Sequence, residues 1–214
     1  MGTKSESLLE EYCDTNGVPW ERIPVSIRRT PDYKIVLRGV EVACEVKQIE
    51  ASDDERRALQ RSFESGRGVG WWPSNQLRRK LKDSAQLREA SSAGRPTMLV
   101  VYDNGPFRMA LQHERVVEAL FGQSTYVEWL SDDPGIEPIV RGPFFGGDRG
   151  LTPTQNTCVS AVAILELMDG GLSLRVYHNP HAAVILEPAL FDGLPIQREV
   201  LPGDTAVSLS HTPG

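Results

Sequence analysis

An α/β fold, with a mixed central β-sheet flanked by helices, is predicted by three observations. Residues 33 to 47 are largely apolar, rich in β-branched side chains and broken at Gly39, the pattern of two antiparallel strands joined by a tight turn. Thr97-Met98-Leu99-Val100-Val101-Tyr102 is a continuous apolar run, as expected of a strand covered on both faces. Apolar residues recur at helical spacing over residues 5 to 16 and 75 to 91, so helices alternate with the strands along the chain.

Taken in order, the first helix places Leu8, Leu9, Tyr12 and Cys13 on one side and stops at Asn16-Gly17, a helix C-terminal signal. The hairpin follows, as Tyr33 to Arg38 and Val40 to Lys47. Ser52-Asp53-Asp54-Glu55 is an N-cap cluster for a short helix to Phe63. Residues 64 to 73 hold three glycines and the pair Trp71-Trp72, which no regular element tolerates. This stretch is either a flap whose Arg67 touches phosphate and whose tryptophans stack on bases, or a loop anchored by burying the tryptophans. The helix over 75 to 91 carries Leu77, Leu81, Ser84, Ala85 and Arg88 along one stripe, with Arg78, Arg79, Lys80 and Lys82 elsewhere. Another helix is predicted over 112 to 121. Asp132-Asp133-Pro134-Gly135 and the glycines from 142 to 150 predict long loops over 124 to 151. Residues 158 to 168 and 172 to 177, separated by Asp169-Gly170-Gly171, read as a second hairpin that extends the sheet. His178 and His181 are three apart but lack a neighbouring cluster of further ligand types, so a metal there is discounted. One domain over 1–200 is expected, its core over about 5–104 and its sheet extension over 105–200, with a frayed polar tail over 201–214.

The chemistry-bearing residues sit on the first hairpin. Side chains alternate along a strand, so Glu45 and Lys47 share a face with Ala43, while Val42, Cys44 and Val46 face a core on the other side. Asp32 enters at the start of the first strand, where it is expected beside Glu45. Mg²⁺ takes hard oxygen ligands and keeps several waters, so two carboxylates with the backbone carbonyl of Val46 are an adequate protein contribution. Lys47 can point at the same water. The alternative is an ordinary Glu45–Lys47 ion pair on a half-exposed strand, which contributes little to stability.

Thr30-Pro31-Asp32 together with Glu45-Val46-Lys47 resembles the signature of the PD-(D/E)xK nuclease superfamily, the restriction-endonuclease-like phosphodiesterases. The order of elements, a helix, a hairpin carrying both halves of the motif, then a helix and an apolar strand, is also similar. The resemblance implies an α-β-β-β-α-β core in which Asp32 and Glu45 bind Mg²⁺ or Mn²⁺ and Lys47 positions the attacking water. It implies a metal-binding glutamate on the first helix, best matched by Glu6 and next by Glu10, and a glutamine after the lysine, here Gln48. It further implies polar residues from the following helix that reach phosphate, for which Lys82 and Gln86 are candidates. DNA is then the expected partner, or RNA by the same chemistry, and cutting both strands of a duplex needs a homodimer or two encounters.

Charge qualifies this expectation. The chain carries a net −6, unlike most nucleic-acid binders, but residues 56 to 95 hold ten basic and three acidic side chains, a local +7. That segment, with Arg67, Arg78, Arg79, Lys82 and Gln86 as its nucleic-acid-binding candidates, would steer a phosphate backbone toward the hairpin; a solvated helix face is the plain alternative. No apolar run is long enough to cross a bilayer, and no signal-peptide core or myristoylation pattern opens the chain. Cys13, Cys44 and Cys158 lack zinc-site spacing and suggest reduced thiols in a cytoplasmic protein. The sequence-based expectation is a Mg²⁺-dependent enzyme hydrolysing DNA phosphodiesters. Its rivals are a non-catalytic binding module on the same fold and a partner-binding protein with no nucleic-acid role.

Overall fold

The computed structural model describes residues 2–24, 30–65, 75–84, 86–105, 109–129, 139–168 and 171–199. Arg67, the tryptophan pair and the tail beyond residue 199 therefore lie outside the described residues, and with them the flap, the loop and the frayed-tail expectations.

Helix α1 (Lys4–Thr15) opens with a capping box: Glu6 N–H donates to the Thr3 hydroxyl at 3.3 Å and Thr3 N–H donates back to Glu6 Oε2 at 2.5 Å. It ends at Asn16, followed by Gly17 at φ +64°. Leu9, Tyr12 and Cys13 form its buried face. A short strand β1 (Trp20–Arg22), which the sequence did not announce, then pairs antiparallel with β2 (Tyr33–Leu37).

Strands β2 and β3 (Val40–Ile49) form the expected hairpin, with Tyr33 opposite Cys44 and Leu37 opposite Val40. Both residues of its turn have positive φ, Arg38 at +47° and Gly39 at +83°, the twist that a two-residue connection between antiparallel strands demands. Beyond β3 come α2 (Asp53–Ser65), α3 (Asn75–Lys82), α4 (Gln86–Ser92) and β4 (Thr97–Asp103). The helix predicted over 75 to 91 is thus two helices. Ser84 is buried, and its hydroxyl donates to the Leu81 carbonyl at 2.5 Å, an i to i−3 contact that competes with continuing the helix.

All seven residues of β4 are buried, because it lies at the centre of the sheet. Next come α5 (His113–Phe121), β5 (Ser124–Trp129), β6 (Ile139–Phe145), β7 (Ala161–Met168), β8 (Gly171–His178) and β9 (Ile196–Glu199). The main sheet runs in the order β1-β2-β3-β4-β7-β8-β9. Strands β3, β4 and β7 are mutually parallel, β7 and β8 form the expected second hairpin, and β9 lies parallel to β8 at the edge. Strands β5 and β6 pair separately, inside the stretch expected to be loops. There the breakers after Trp129 mask the β-prone run that precedes them.

Both faces of the sheet are covered. On one, α1 packs over Val42, Cys44, Val46, Met98 and Val100; on the other, α3, α4 and α5 bring Leu77, Leu81, Leu87, Val116 and Leu120 against Leu99, Val101, Val162 and Ile164. The Glu45 face of β3 is therefore a second core, not the open side that alternation alone suggests. No helix among the described residues is long and apolar enough to cross a membrane.

Candidate functional site

Strand β2 pairs with β3 only as far as Tyr33 opposite Cys44, while β3 runs on to Ile49. The Val46 N–H, left without a strand partner on that edge, donates to Asp32 Oδ2 at 2.8 Å. A strand residue's N–H and C=O leave along the same edge, so the Val46 carbonyl faces the Asp32 side as well. Asp32 is half-buried at the mouth of β2.

Glu45 is fully buried, at 0 % exposure, on the face covered by α4. Lys47 Nζ lies 2.5 Å from its Oε1, with the lysine side chain 23 % exposed. The Gln86 amide, oriented with its nitrogen toward the carboxylate, donates to Glu45 Oε2 at 2.8 Å and also to Oε1. The exposed-pair alternative fails here, because a carboxylate with no solvent contact is in the regime where losing its partner is costly.

Burial pushes the Glu45 carboxyl above its ordinary range; Lys47 opposes this, and the charges of Asp32 and Asp83 add to it. Burial likewise raises Asp32, opposed by the Val46 N–H and by Lys47, while Glu6 pushes it further up and Arg22 pulls it down. Lys47 thus sits on Glu45 and reaches Asp32 only through its charge. The donor set is all oxygen and its charge is short of neutral, which is the chemistry a hard divalent cation satisfies. Among the described residues no group of three His, Cys, Asp or Glu side chains is placed to hold a metal by itself. The Val46 carbonyl and water would have to complete the shell.

The other expected site residues divide. Gln86 reaches the Glu45 carboxylate. Glu6 is held by the Thr3 N–H and by Arg22 at 2.8 Å, and Glu10 accepts from the Tyr33 hydroxyl at 2.6 Å. Gln48 lies on the opposite face of β3 from Glu45 and Lys47; its Oε1 accepts from Ser5 N–H at 3.1 Å and its amide nitrogen donates to Glu50. Arg78 is turned away from the site, donating to the Glu118 carbonyl at 2.9 Å and the Ala119 carbonyl at 3.4 Å near the end of α5. Arg79 and Lys82 are exposed on the last turn of α3. His178 packs edge-on to Phe191 at 6.0 Å, and His181 N–H donates to Asn179 Oδ1 at 2.9 Å.

Two residues coupled to Glu45 escape a reading of the sequence, Asp83 and Cys158. Asp83 lies at the break between α3 and α4, near enough for its charge to raise Glu45. Burial raises the Cys158 thiol, the charge of Arg88 lowers it, and Glu45 adds to the rise. No spacing in the chain relates these residues to Glu45: Asp83 follows α3 and Cys158 precedes β7. Compared with family models, curated proteins and solved structures, the chain matches none.

Proposed function

We propose that this chain is a metal-dependent nuclease that hydrolyses phosphodiester bonds in DNA, on the pattern of the PD-(D/E)xK enzymes it resembles. One observation carries the reading: Lys47 is paired with a fully buried Glu45 while Asp32 sits on the backbone of the residue between them. Asp32, Glu45 and the Val46 carbonyl would hold Mg²⁺ or Mn²⁺. When bound, that ion supplies Lewis-acid charge to a phosphoryl oxygen and acidifies water. Lys47 orients the attacking water and sets a positive charge beside the phosphoryl oxygens as they gain negative charge. Gln86 fixes the Glu45 carboxylate. Arg79 and Lys82 offer a cationic surface to the nucleic-acid backbone. A homodimer would let two such sites cut both strands, and three free thiols suit a cytoplasmic setting.

The test is metal-dependent cleavage of single-stranded, duplex and branched DNA, and of RNA, by wild type, Asp32→Ala and Lys47→Ala. Activity confined to wild type is expected; equal activity in all three proteins eliminates the proposal. A second reading, a non-catalytic binding module, is favoured by the net charge of −6. It requires that Mn²⁺ titration give no binding that depends on Asp32 or Glu45.

A further inference from the structure

We infer that Lys47 is a resident stand-in for the divalent cation, and that a metal ion enters only by displacing its ammonium from Glu45. The inference rests on the metal-site reading above. Its basis is occupancy: Glu45 has no solvent contact, Lys47 Nζ stands 2.5 Å from Oε1, and the Gln86 amide engages both carboxylate oxygens. A metal ion needs one of those oxygens at about 2.1 Å, which brings it against the ammonium.

Charge decides which cation wins. Glu45 has no solvent contact, so a divalent ion added with Lys47 in place would set two positive groups side by side on one carboxylate with no water between them. With the ammonium withdrawn, the same ion and two carboxylates sum to zero, and low-dielectric surroundings favour that state. Lys47 is 23 % exposed, so its side chain has a route to solvent that Glu45 lacks. The Lys47–Glu45 pair therefore keeps the Glu45 oxygens occupied until a divalent ion takes the place of the ammonium.

The experiment titrates Mn²⁺ alone into the full chain by calorimetry, for wild type, Lys47→Met, Lys47→Arg and Asp32→Asn. Lys47→Met is expected to bind at least about tenfold more tightly than wild type, Lys47→Arg to stay near wild type, and Asp32→Asn to lose binding. Wild-type binding that depends on Asp32 but is not tightened in Lys47→Met overturns this inference and leaves the nuclease reading standing. No binding in either wild type or Lys47→Met overturns both. A second measurement needs no variant: acetylation of Lys47 by an activated ester, read by mass spectrometry, should rise on adding Mn²⁺. An unchanged or lower yield overturns the displacement.

Discussion

Two carboxylate–cation pairs among the described residues are largely withdrawn from solvent, and they differ in what surrounds them. On β3, Glu45 is fully buried, its partner is a lysine, and Asp32, on the Val46 N–H, adds a second carboxylate within range of the same charge. Across β7 and β8, Glu166 pairs with Arg175, whose side chain is 10 % exposed; Arg175 Nη2 also donates to the Leu111 carbonyl at 3.0 Å, and its guanidinium lies 6.0 Å from the Tyr177 ring. One guanidinium meets one carboxylate there, and a fixed backbone carbonyl takes a further donor. A buried ion pair alone is weak evidence for either stability or function. An unbalanced carboxylate beside a displaceable cation is the feature that separates a candidate site from a structural tie.

The largest expected effect breaks the two apart by activity. Asp32→Ala or Lys47→Ala should lower kcat/KM for DNA cleavage at least about 100-fold, whereas Arg175→Met, assayed where it is folded, should stay within about threefold of wild type. A comparable loss in Arg175→Met would erase the distinction. The next effect is in stability. Arg175→Met leaves Glu166 without its partner, and because Glu166 is partly exposed the cost belongs at the low end for broken buried pairs, about 3 kcal/mol, measured by urea unfolding.

A smaller contrast separates the basic residues of α3. Arg78 holds carbonyls near the end of α5, so Arg78→Ala should cost about 1 kcal/mol and leave the salt dependence of DNA retention unchanged. Exposed Arg79 and Lys82 have the opposite profile: Arg79→Gln with Lys82→Gln should leave stability nearly untouched and flatten the salt slope by about 0.9 for each phosphate deprived of its cation. A flatter slope in Arg78→Ala would return that residue to the nucleic-acid surface.

How far the chain could be read follows from which forces are local. The β2–β3 hairpin and the β4 run were legible because turn chemistry and apolar continuity are written in consecutive residues. So was the hairpin register that sets Glu45 and Lys47 on one face of β3 with Asp32 just before β2, since a tight turn fixes register and register fixes which side chains are neighbours. The break at Ser84 was hidden, because Leu77 and Leu81 keep helical spacing up to it and the deciding bond is a single hydroxyl. Glu6 carries a local signal of its own: Thr3-Lys4-Ser5-Glu6 is a capping-box string that uses the carboxylate, and the same carboxylate acts on Asp32 through its charge. Strand alternation already separated Gln48 from Glu45 and Lys47, a constraint the family likeness overrode. Asp83 and Cys158 had no local signal at all, since they lie in segments distant in sequence from Glu45.

The smallest expected effect sharpens the electrostatic side of the comparison. Asp32 has a folded-state pKa above its unfolded value, so its contribution to stability is fully present below the unfolded pKa and is lost as pH rises through the folded one. Asparagine cannot ionise. The unfolding free energy of Asp32→Asn relative to wild type should therefore shift in favour of the variant between about pH 3.5 and pH 7. Glu50 provides the opposite sign: hydrogen bonds from Asn104 and Gln48 lower its pKa, so its contribution is present above the unfolded pKa and lost as pH falls through the folded one. Relative to wild type, Glu50→Gln should then lose ground as pH rises over the same window. Urea unfolding at several pH values checks both. If Asp32→Asn moved in the same direction as Glu50→Gln, the Val46 N–H and Lys47 would outweigh burial at Asp32, and its carboxylate would be a compensated one, no different in kind from Glu166 beside Arg175.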